Sequence, residues 1–331
     1  MLEEAKRLDY IDRAKGCLII LMIVGHIWQV SYAATLVYQF HMPAFFLISG
    51  YLLSLTKSYE RGYGRFIKKR LFAFVLPYLF MDTIGILNDI LRNGATLNWR
   101  GYLFNIISLR TNDIDVWFLR TLLVIELVFP PLLRILKKRG MVVLAVLCWV
   151  GSVLIDSENI YVEILDRILF HMLPFVIGFF WGKVFSVRKR LILLVCVLIV
   201  PLNAMISWRH IQTPYPIPYV LRLFSCFAGT YLTIQLSMLD LKPVSTLLQH
   251  YGKNSIIIYC THHVLYTALG LLIGHADFSA ITFLPGMVIL LAILILEFPI
   301  IYCINRWLPF LVGRHYRDRA KFVWLPQKQK V

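Results

Sequence analysis

Long apolar runs separated by short polar stretches follow one another along most of the chain. We count ten such runs, and most reach the roughly seventeen residues that a helix needs to cross a bilayer. The pattern therefore predicts an all-α fold, a polytopic integral membrane bundle of about ten transmembrane helices. The runs cover residues 17–36, 40–56, 71–91, 117–136, 141–155, 168–184, 191–207, 219–237, 254–275 and 283–304.

Basic residues set the orientation that we predict for this bundle. With the N-terminus in the cytoplasm, the cytoplasmic segments hold 26 of the Lys and Arg residues and the opposite loops hold five. Because Lys and Arg concentrate in the cytoplasmic loops of membrane proteins, this ratio favours an N-in and C-in, multi-pass protein of the cell (inner) membrane. It also accounts for most of the net charge of +16 without nucleic acid as a partner.

The polar segments divide the chain into three parts. Residues 1–16 are predicted as a cytoplasmic N-terminal segment, 17–304 as a transmembrane domain and 305–331 as a basic cytoplasmic tail. No appended soluble catalytic domain is recognisable, so we expect any chemistry to occur in or at the membrane bundle. The six cysteines lie far apart in or beside apolar runs, which is typical of packed thiols and not of a metal or redox site.

A histidine inside the first apolar run is the first candidate for chemistry. His26 follows Lys15 by eleven residues, so on a helix its imidazole would lie about 16 Å beyond the lysine, near the middle of the membrane. An ionisable side chain at such depth is costly to charge and marks a functional site as readily as a hydrogen-bonded core residue. Lys15, at the predicted cytoplasmic edge, can reach the phosphate groups of a lipid or of a ligand.

Two strings downstream offer further candidates. His41 begins the second run inside the string Phe40–Tyr51, where Ser49 and Gly50 permit close approach of another helix. Interfacial histidines are common, so His41 alone indicates little. The run 68–70 (Lys-Lys-Arg) is explained either by the positive-inside rule or by docking of a polyanionic ligand such as coenzyme A.

The ninth run and several isolated positions complete the polar set. Asn254 or Ser255 can cap this helix, and His262 falls near its middle. Since His262 and His263 point to different helix faces, we predict no metal site there. The other intramembrane polar residues, whose pairing the sequence leaves open, are Asp82, Arg120, Glu126, His171, Arg222 and Glu297.

These strings together resemble the integral-membrane acyltransferase-3 family, in particular its branch of fucose 4-O-acetylase-like and exopolysaccharide O-acyltransferases. The resemblance covers nearly the whole chain. It rests on 11–16 with Gly25-His26, the Phe40–Tyr51 string, Lys69-Arg70 with Pro77-Tyr78, 117–119 (Trp-Phe-Leu), Pro174-Phe175 with Gly178, and 252–255 with Tyr259 and His262.

The resemblance implies transfer of an acyl group, usually acetyl, from a cytoplasmic acyl-CoA co-substrate to a glycan hydroxyl, with no tightly bound cofactor. The family's motif of a basic residue and a histidine with ten residues between them maps onto Lys15 and His26, and its arginine before the third span maps onto Arg70. Two departures stand out. Many relatives have Arg where this chain has Lys15, and Leu122 replaces a glutamate of the O-antigen branch.

The resulting hypothesis assigns a role to each candidate. His26 is the catalytic residue, as general base on the acceptor hydroxyl or as a transient acyl acceptor. Lys15, Lys69 and Arg70 bind acyl-CoA. The acceptor, a cell-surface glycan or lipid-linked sugar, is expected near the acceptor-side or secondary candidates, which are His41, Trp117, Glu126 and His262.

Two other classes of protein fit the same pattern of buried polar residues. A polysaccharide or lipid-linked sugar exporter would use these residues to line a path, although such transporters commonly show related halves and this chain shows none. A structural or sensory membrane protein would have no need of a Lys15–His26 pair.

Overall fold

The computed structural model describes residues 2–93, 100–101, 117–155, 159–209, 211, 217–272 and 281–314. Within these ranges the chain forms helices and no strand. Three short 3-10 helices, Ser58–Arg61, Gly182–Ser186 and Pro309–Val312, connect or follow the α-helices. The α-helices are α1 (Leu2–Ile27), α2 (Tyr32–Tyr38), α3 (His41–Thr56), α4 (Tyr63–Asn93), α5 (Trp117–Leu154), α6 (Ile160–Trp181), α7 (Arg190–Trp208), α8 (Ile217–Ser237), α9 (Val244–Lys253), α10 (Ser255–Leu272) and α11 (Phe283–Trp307).

The apolar helices confirm the predicted fold class, an all-α helical membrane protein. Five segments of the described chain are long and apolar enough to cross a membrane by length and composition. The count of about ten spans and the N-in, C-in orientation stay predictions. The five segments are Tyr32–Thr56, Tyr161–Ser186, Arg190–Trp208, Ile217–Ser237 and Phe283–Trp307.

The predicted fourth and fifth runs form one kinked element. α5 covers both runs and bends at Lys137, whose φ of 55° lies in the left-handed region. A residue with a side chain adopts this conformation only at an energetic cost, so the bend is a defined break between two helical segments. It falls in the basic cluster 137–139, where the sequence predicts a loop.

The first predicted run is not one helix, whereas the predicted depth of His26 in the membrane stays a prediction. α1 ends at Ile27, so His26 lies in its last turn and not near the middle of a continuous span. α2 begins at Tyr32, and the Ser31 hydroxyl accepts a hydrogen bond from the Ala34 N–H at 3.1 Å. This cap offers the backbone an alternative to a continuous helix, which explains the break.

A pair of glycines allows the backbones of α1 and α9 to touch. A Cβ at Gly252 of α9 would lie 1.6 Å from the Asp12 carbonyl oxygen, and one at Gly16 of α1 would lie 1.9 Å from that of Leu248. Neither position tolerates a side chain without moving backbone. α1 and α9 are therefore held together at the end of the bundle that carries Lys15.

The prediction of a close helix approach at Gly50 is confirmed. A Cβ at Gly50 of α3 would lie 2.1 Å from the Phe175 carbonyl oxygen, and one at Gly178 of α6 would lie 1.9 Å from that of Leu47. Small residues at such crossings let helices pack tightly in a membrane. The contact fixes α3, which carries His41, against α6.

The chain after α11 packs onto the bundle as far as it is described. Arg314 donates hydrogen bonds to the Asn254 side chain at 2.9 Å and to the Lys253 carbonyl at 2.7 Å, and Asn305 donates to Asn254 at 3.0 Å. Burial lowers the pKa of the Arg314 guanidinium to about 9. The network fixes the junction of α9 and α10, and the rest of the predicted tail, 315–331, lies outside the described residues.

Candidate active site

A first cavity gathers the three predicted acyl-CoA-binding residues. It has a volume of about 380 Å³, and Lys15 of α1 lines it together with Lys69 and Arg70 of α4. Most of its other lining is apolar and comes from α1, α3, α4, α5 and α10. The apolar lining residues include Ile19, Phe45, Leu52, Phe74, Phe118, Leu119, Leu122 and Ile256.

Carboxylates hold two of these three cations in place. The Nε atom of Arg70 lies 2.6 Å from Oε2 of Glu126, and Lys15 Nζ lies 2.6 Å from Oδ1 of Asp12. The Glu126 side chain is only 4% exposed, so its ion pair with Arg70 is largely shielded from water. Glu126, which we expected near the acceptor, thus lies with the phosphate-binding candidates and orients Arg70.

A second cavity of about 400 Å³ contains the remaining principal candidates. His26 of α1, His41 of α3 and Trp117 of α5 all line it. His41 Nδ1 lies 2.9 Å from the Val37 carbonyl oxygen. Because a carbonyl only accepts, Nδ1 must carry the proton, and in the neutral ring Nε2 is then an acceptor.

His262 packs directly against His26. The centroids of the two imidazoles lie 5.2 Å apart, and Nδ1 of His262 donates to the carbonyls of Ile258 and Tyr259 at 3.0 and 2.9 Å. The ring of His262 is 1% exposed, whereas His26 is half-buried and lines the cavity. His262 thus supports His26 from behind.

The second cavity also contains charged residues that the sequence did not single out as a site. Glu163 and Arg167, paired with each other, line it together with Asp166 and Arg222. The runs 141–155 and 168–184 leave 156–167 between them as a predicted loop, but Asn159 caps α6, which begins at Ile160, so Glu163, Asp166 and Arg167 project from a helix. The cap signal Asn-Ile-Tyr-Val-Glu could have revealed this start.

His171 of α6 is a further histidine of this cavity. Its Nδ1 lies 2.6 Å from the Arg167 carbonyl oxygen, and its ring centroid lies 4.2 Å from that of Phe46 and 5.3 Å from that of Trp117. The guanidinium of Arg167 covers Trp117 at 4.5 Å. An ionisable residue within an apolar run was the available signal for His171.

The two cavities share part of their walls. Met42 of α3 and Tyr259 of α10 line both. The cationic cluster, formed by Lys15, Lys69 and Arg70, therefore lies on one side of these two side chains and His26 on the other. Such an arrangement suits two substrates that enter separately and react where their pockets meet.

Comparisons with known proteins identify the family of the chain. A family model described as Acyltransferase domain (Acyl_transf_3) matches residues 8–306. Nodulation protein NolL of Mesorhizobium japonicum is 41% identical over 87 residues, and Nodulation protein NolL of Sinorhizobium fredii is 39% identical over 80 residues.

Both of these matches are partial. The aligned regions cover 22% and 21% of this chain and 22% of each relative, so the matched part spans about a fifth of those proteins. No solved structure matches the chain. The family match, by contrast, includes both cavities and nearly all described helices, and on that basis the chain belongs to the acyltransferase-3 family.

Proposed function

We propose that the protein transfers an acyl group, in the simplest case acetyl, from cytoplasmic acyl-CoA to a hydroxyl of a cell-surface or lipid-linked glycan. The observation that carries this proposal is the common wall of Met42 and Tyr259 between a cationic cavity and a histidine-lined cavity. An acyltransferase must bring a thioester and a hydroxyl together from two binding sites. The common wall supports a meeting point between such sites.

The chemistry of the first cavity supports acyl-CoA as donor. Lys15, Lys69 and Arg70 suit the phosphates of coenzyme A, and the apolar lining suits its less polar arm. A volume of about 380 Å³ lies within the range of small-molecule sites, roughly 300–1,000 Å³. If the phosphates bind these cations, the thioester points toward Met42 and Tyr259.

His26 performs the proton transfer in this proposal. Its imidazole accepts the proton of the acceptor hydroxyl while that oxygen attacks the thioester carbonyl. The carbon–sulfur bond then breaks, the ester forms, and the coenzyme A thiolate leaves and takes up the proton. In the alternative sequence, the His26 nitrogen first accepts the acyl group and then yields it to the hydroxyl. Both routes require the same residue.

Labelled donor separates this function from glycan export. Membranes containing the protein would be incubated with acetyl-CoA labelled in the acetyl group, and glycans would be extracted and counted. We expect label in alkali-sensitive ester linkage, at a level far above that of membranes lacking the protein. Translocation of glycan without incorporation of label would instead favour the exporter.

A further inference from the structure

A third cavity lies next to the second one and is lined mainly by uncharged polar groups. It has a volume of about 610 Å³ and is bounded by α2, α7 and the first turns of α8. Tyr38 and Arg222 line both it and the second cavity, so the two spaces adjoin. Among the described residues of its lining, Arg222 is the one that carries a charge. The uncharged polar residues of its lining are Thr35, Tyr38, Gln39, Asn203, Ser207 and Tyr219.

A hydrogen-bonded amide pair forms the inner wall of this third cavity. Asn203 Nδ2 donates to Oε1 of Gln39 at 2.8 Å and to Oγ of Ser225 at 2.8 Å. This arrangement fixes the Gln39 amide with its oxygen toward α7. Its orientation therefore does not depend on any bound molecule.

The nitrogen of the Gln39 amide has no hydrogen-bond partner among the described residues. Gln39 is 7% exposed, and its Nε2 makes no hydrogen bond within the described part of the chain. A buried donor left unpaired is costly, and native proteins seldom retain one without a reason. Gln39 lines the third cavity while its Nε2 has no exposed surface of its own, so a ligand with an acceptor oxygen would satisfy this donor after a small shift of the amide.

We infer that the third cavity is a subsite for a neutral sugar unit adjacent to the one that is acylated. Hydroxyl and amide groups interspersed with tyrosine rings match the hydroxyl groups and apolar faces of a sugar better than they match a phosphate or a lipid chain. The inference rests on the proposed function. It makes the acceptor an oligosaccharide, whose reacting unit lies by His26 and whose neighbour contacts Gln39.

Paired acceptors test this subsite directly. Reconstituted protein would receive labelled acetyl-CoA with glucose or cellobiose, galactose or lactose, and N-acetylglucosamine or diacetylchitobiose. For the pair that reacts best, we expect kcat/KM to be at least about tenfold higher for the disaccharide. Gln39→Leu removes a buried hydrogen bond and should lower the disaccharide value by about tenfold, while the monosaccharide value is unchanged.

Gln39→Glu separates binding from a merely structural role. The variant keeps an oxygen for Asn203 but replaces the Nε2 donor, so it should lose the disaccharide preference as Gln39→Leu does. The subsite would be overturned if Gln39→Glu kept the preference for the disaccharide, or if the wild type had no such preference. It would also be overturned if the variants lost kcat/KM equally on the disaccharide and the monosaccharide. Transfer to extracted glycan but to none of the six sugars would also overturn the subsite, whereas transfer to neither would contradict the proposed function itself.

Discussion

The imidazole of His262 lies 5.2 Å from that of His26, ring centroid to ring centroid, although His26 belongs to α1 and His262 to α10, far apart along the chain. Nδ1 of His262 is held by backbone carbonyls of its own helix. This contact places a rigid, buried ring behind the half-buried His26. It assigns His262 a positioning role, whereas His26 faces the cavity.

We predict that His262→Ala lowers kcat for acyl transfer by about tenfold or more, because His26 loses its support and with it the geometry of proton transfer. KM for acyl-CoA should stay unchanged, since His262 lies outside the first cavity. His263→Ala is the matched control, because its side chain lines neither the first nor the second cavity. Steady-state kinetics of the three proteins, with a pH–rate profile, separates these effects.

Equal rates for His262→Ala and the wild type would contradict the positioning role. So would a rise in KM for acyl-CoA without a change in kcat. A shifted pH–rate profile in His262→Ala, but not in His263→Ala, would show that the contact acts on the reacting base and not only on stability.

The cationic cluster should control affinity for the donor. Arg70→Gln and Lys15→Gln should each raise KM for acyl-CoA by roughly tenfold, because each removes one charge contact to phosphate. Raising the salt concentration should weaken binding in the wild type more than in either variant. Arg65→Gln is the control, since Arg65 is exposed on α4 and does not line the cavity.

Lys15→Arg should retain donor binding, because the charge persists and a guanidinium binds phosphate at least as well as an ammonium. Loss of binding in Lys15→Arg, or normal KM values in Lys15→Gln and Arg70→Gln, would remove this cavity as the donor site.

The common wall of Met42 and Tyr259 predicts a variant that blocks acyl transfer but still binds coenzyme A. Met42→Trp adds bulk where the two cavities meet, so transfer should fall by about a hundredfold while calorimetric affinity for coenzyme A is retained. Met42→Leu conserves volume and should behave like the wild type. Full activity in a folded Met42→Trp protein would show that the acyl group does not pass this wall.

The contact between α1 and α9 predicts a change in stability. Gly252→Val places side-chain atoms against the Asp12 carbonyl, so we expect a melting temperature lower by about 10 °C or more, or failure to fold. Gly64→Ala is the control, because a Cβ there meets nothing within 4 Å and alanine favours the helix. A Gly252→Val protein as stable as the wild type would contradict the close backbone contact.

The sequence predicted those parts of the site that depend on a local signal. His26 was a candidate because an ionisable residue in the interior of an apolar run is unusual, and Lys15 and Arg70 because basic residues at the cytoplasmic edge suit a polyanionic ligand and match the family's motifs. The close approach at Gly50 was predicted for a similar reason, since small residues permit it. These features need no knowledge of which helix is the neighbour.

The features that the sequence did not predict depend on contacts between distant segments. No pattern indicates that Arg70 pairs with Glu126 or that Gln39 bonds to Asn203, because helix packing decides both contacts. The break after Ile27 was missed because 28–31 reads as apolar enough to continue a helix, and the cap at Ser31 competes only weakly in sequence.

The central claim, that His26 carries the chemistry, is tested most directly by one activity measurement. Purified wild-type, His26→Ala and His263→Ala proteins in liposomes would receive acetyl-labelled acetyl-CoA and a glycan extract, and ester-linked label would be counted. We predict that His26→Ala loses transfer by about a hundredfold to ten-thousandfold with affinity for coenzyme A retained, and that His263→Ala is active. Transfer by His26→Ala at the wild-type rate would contradict the account.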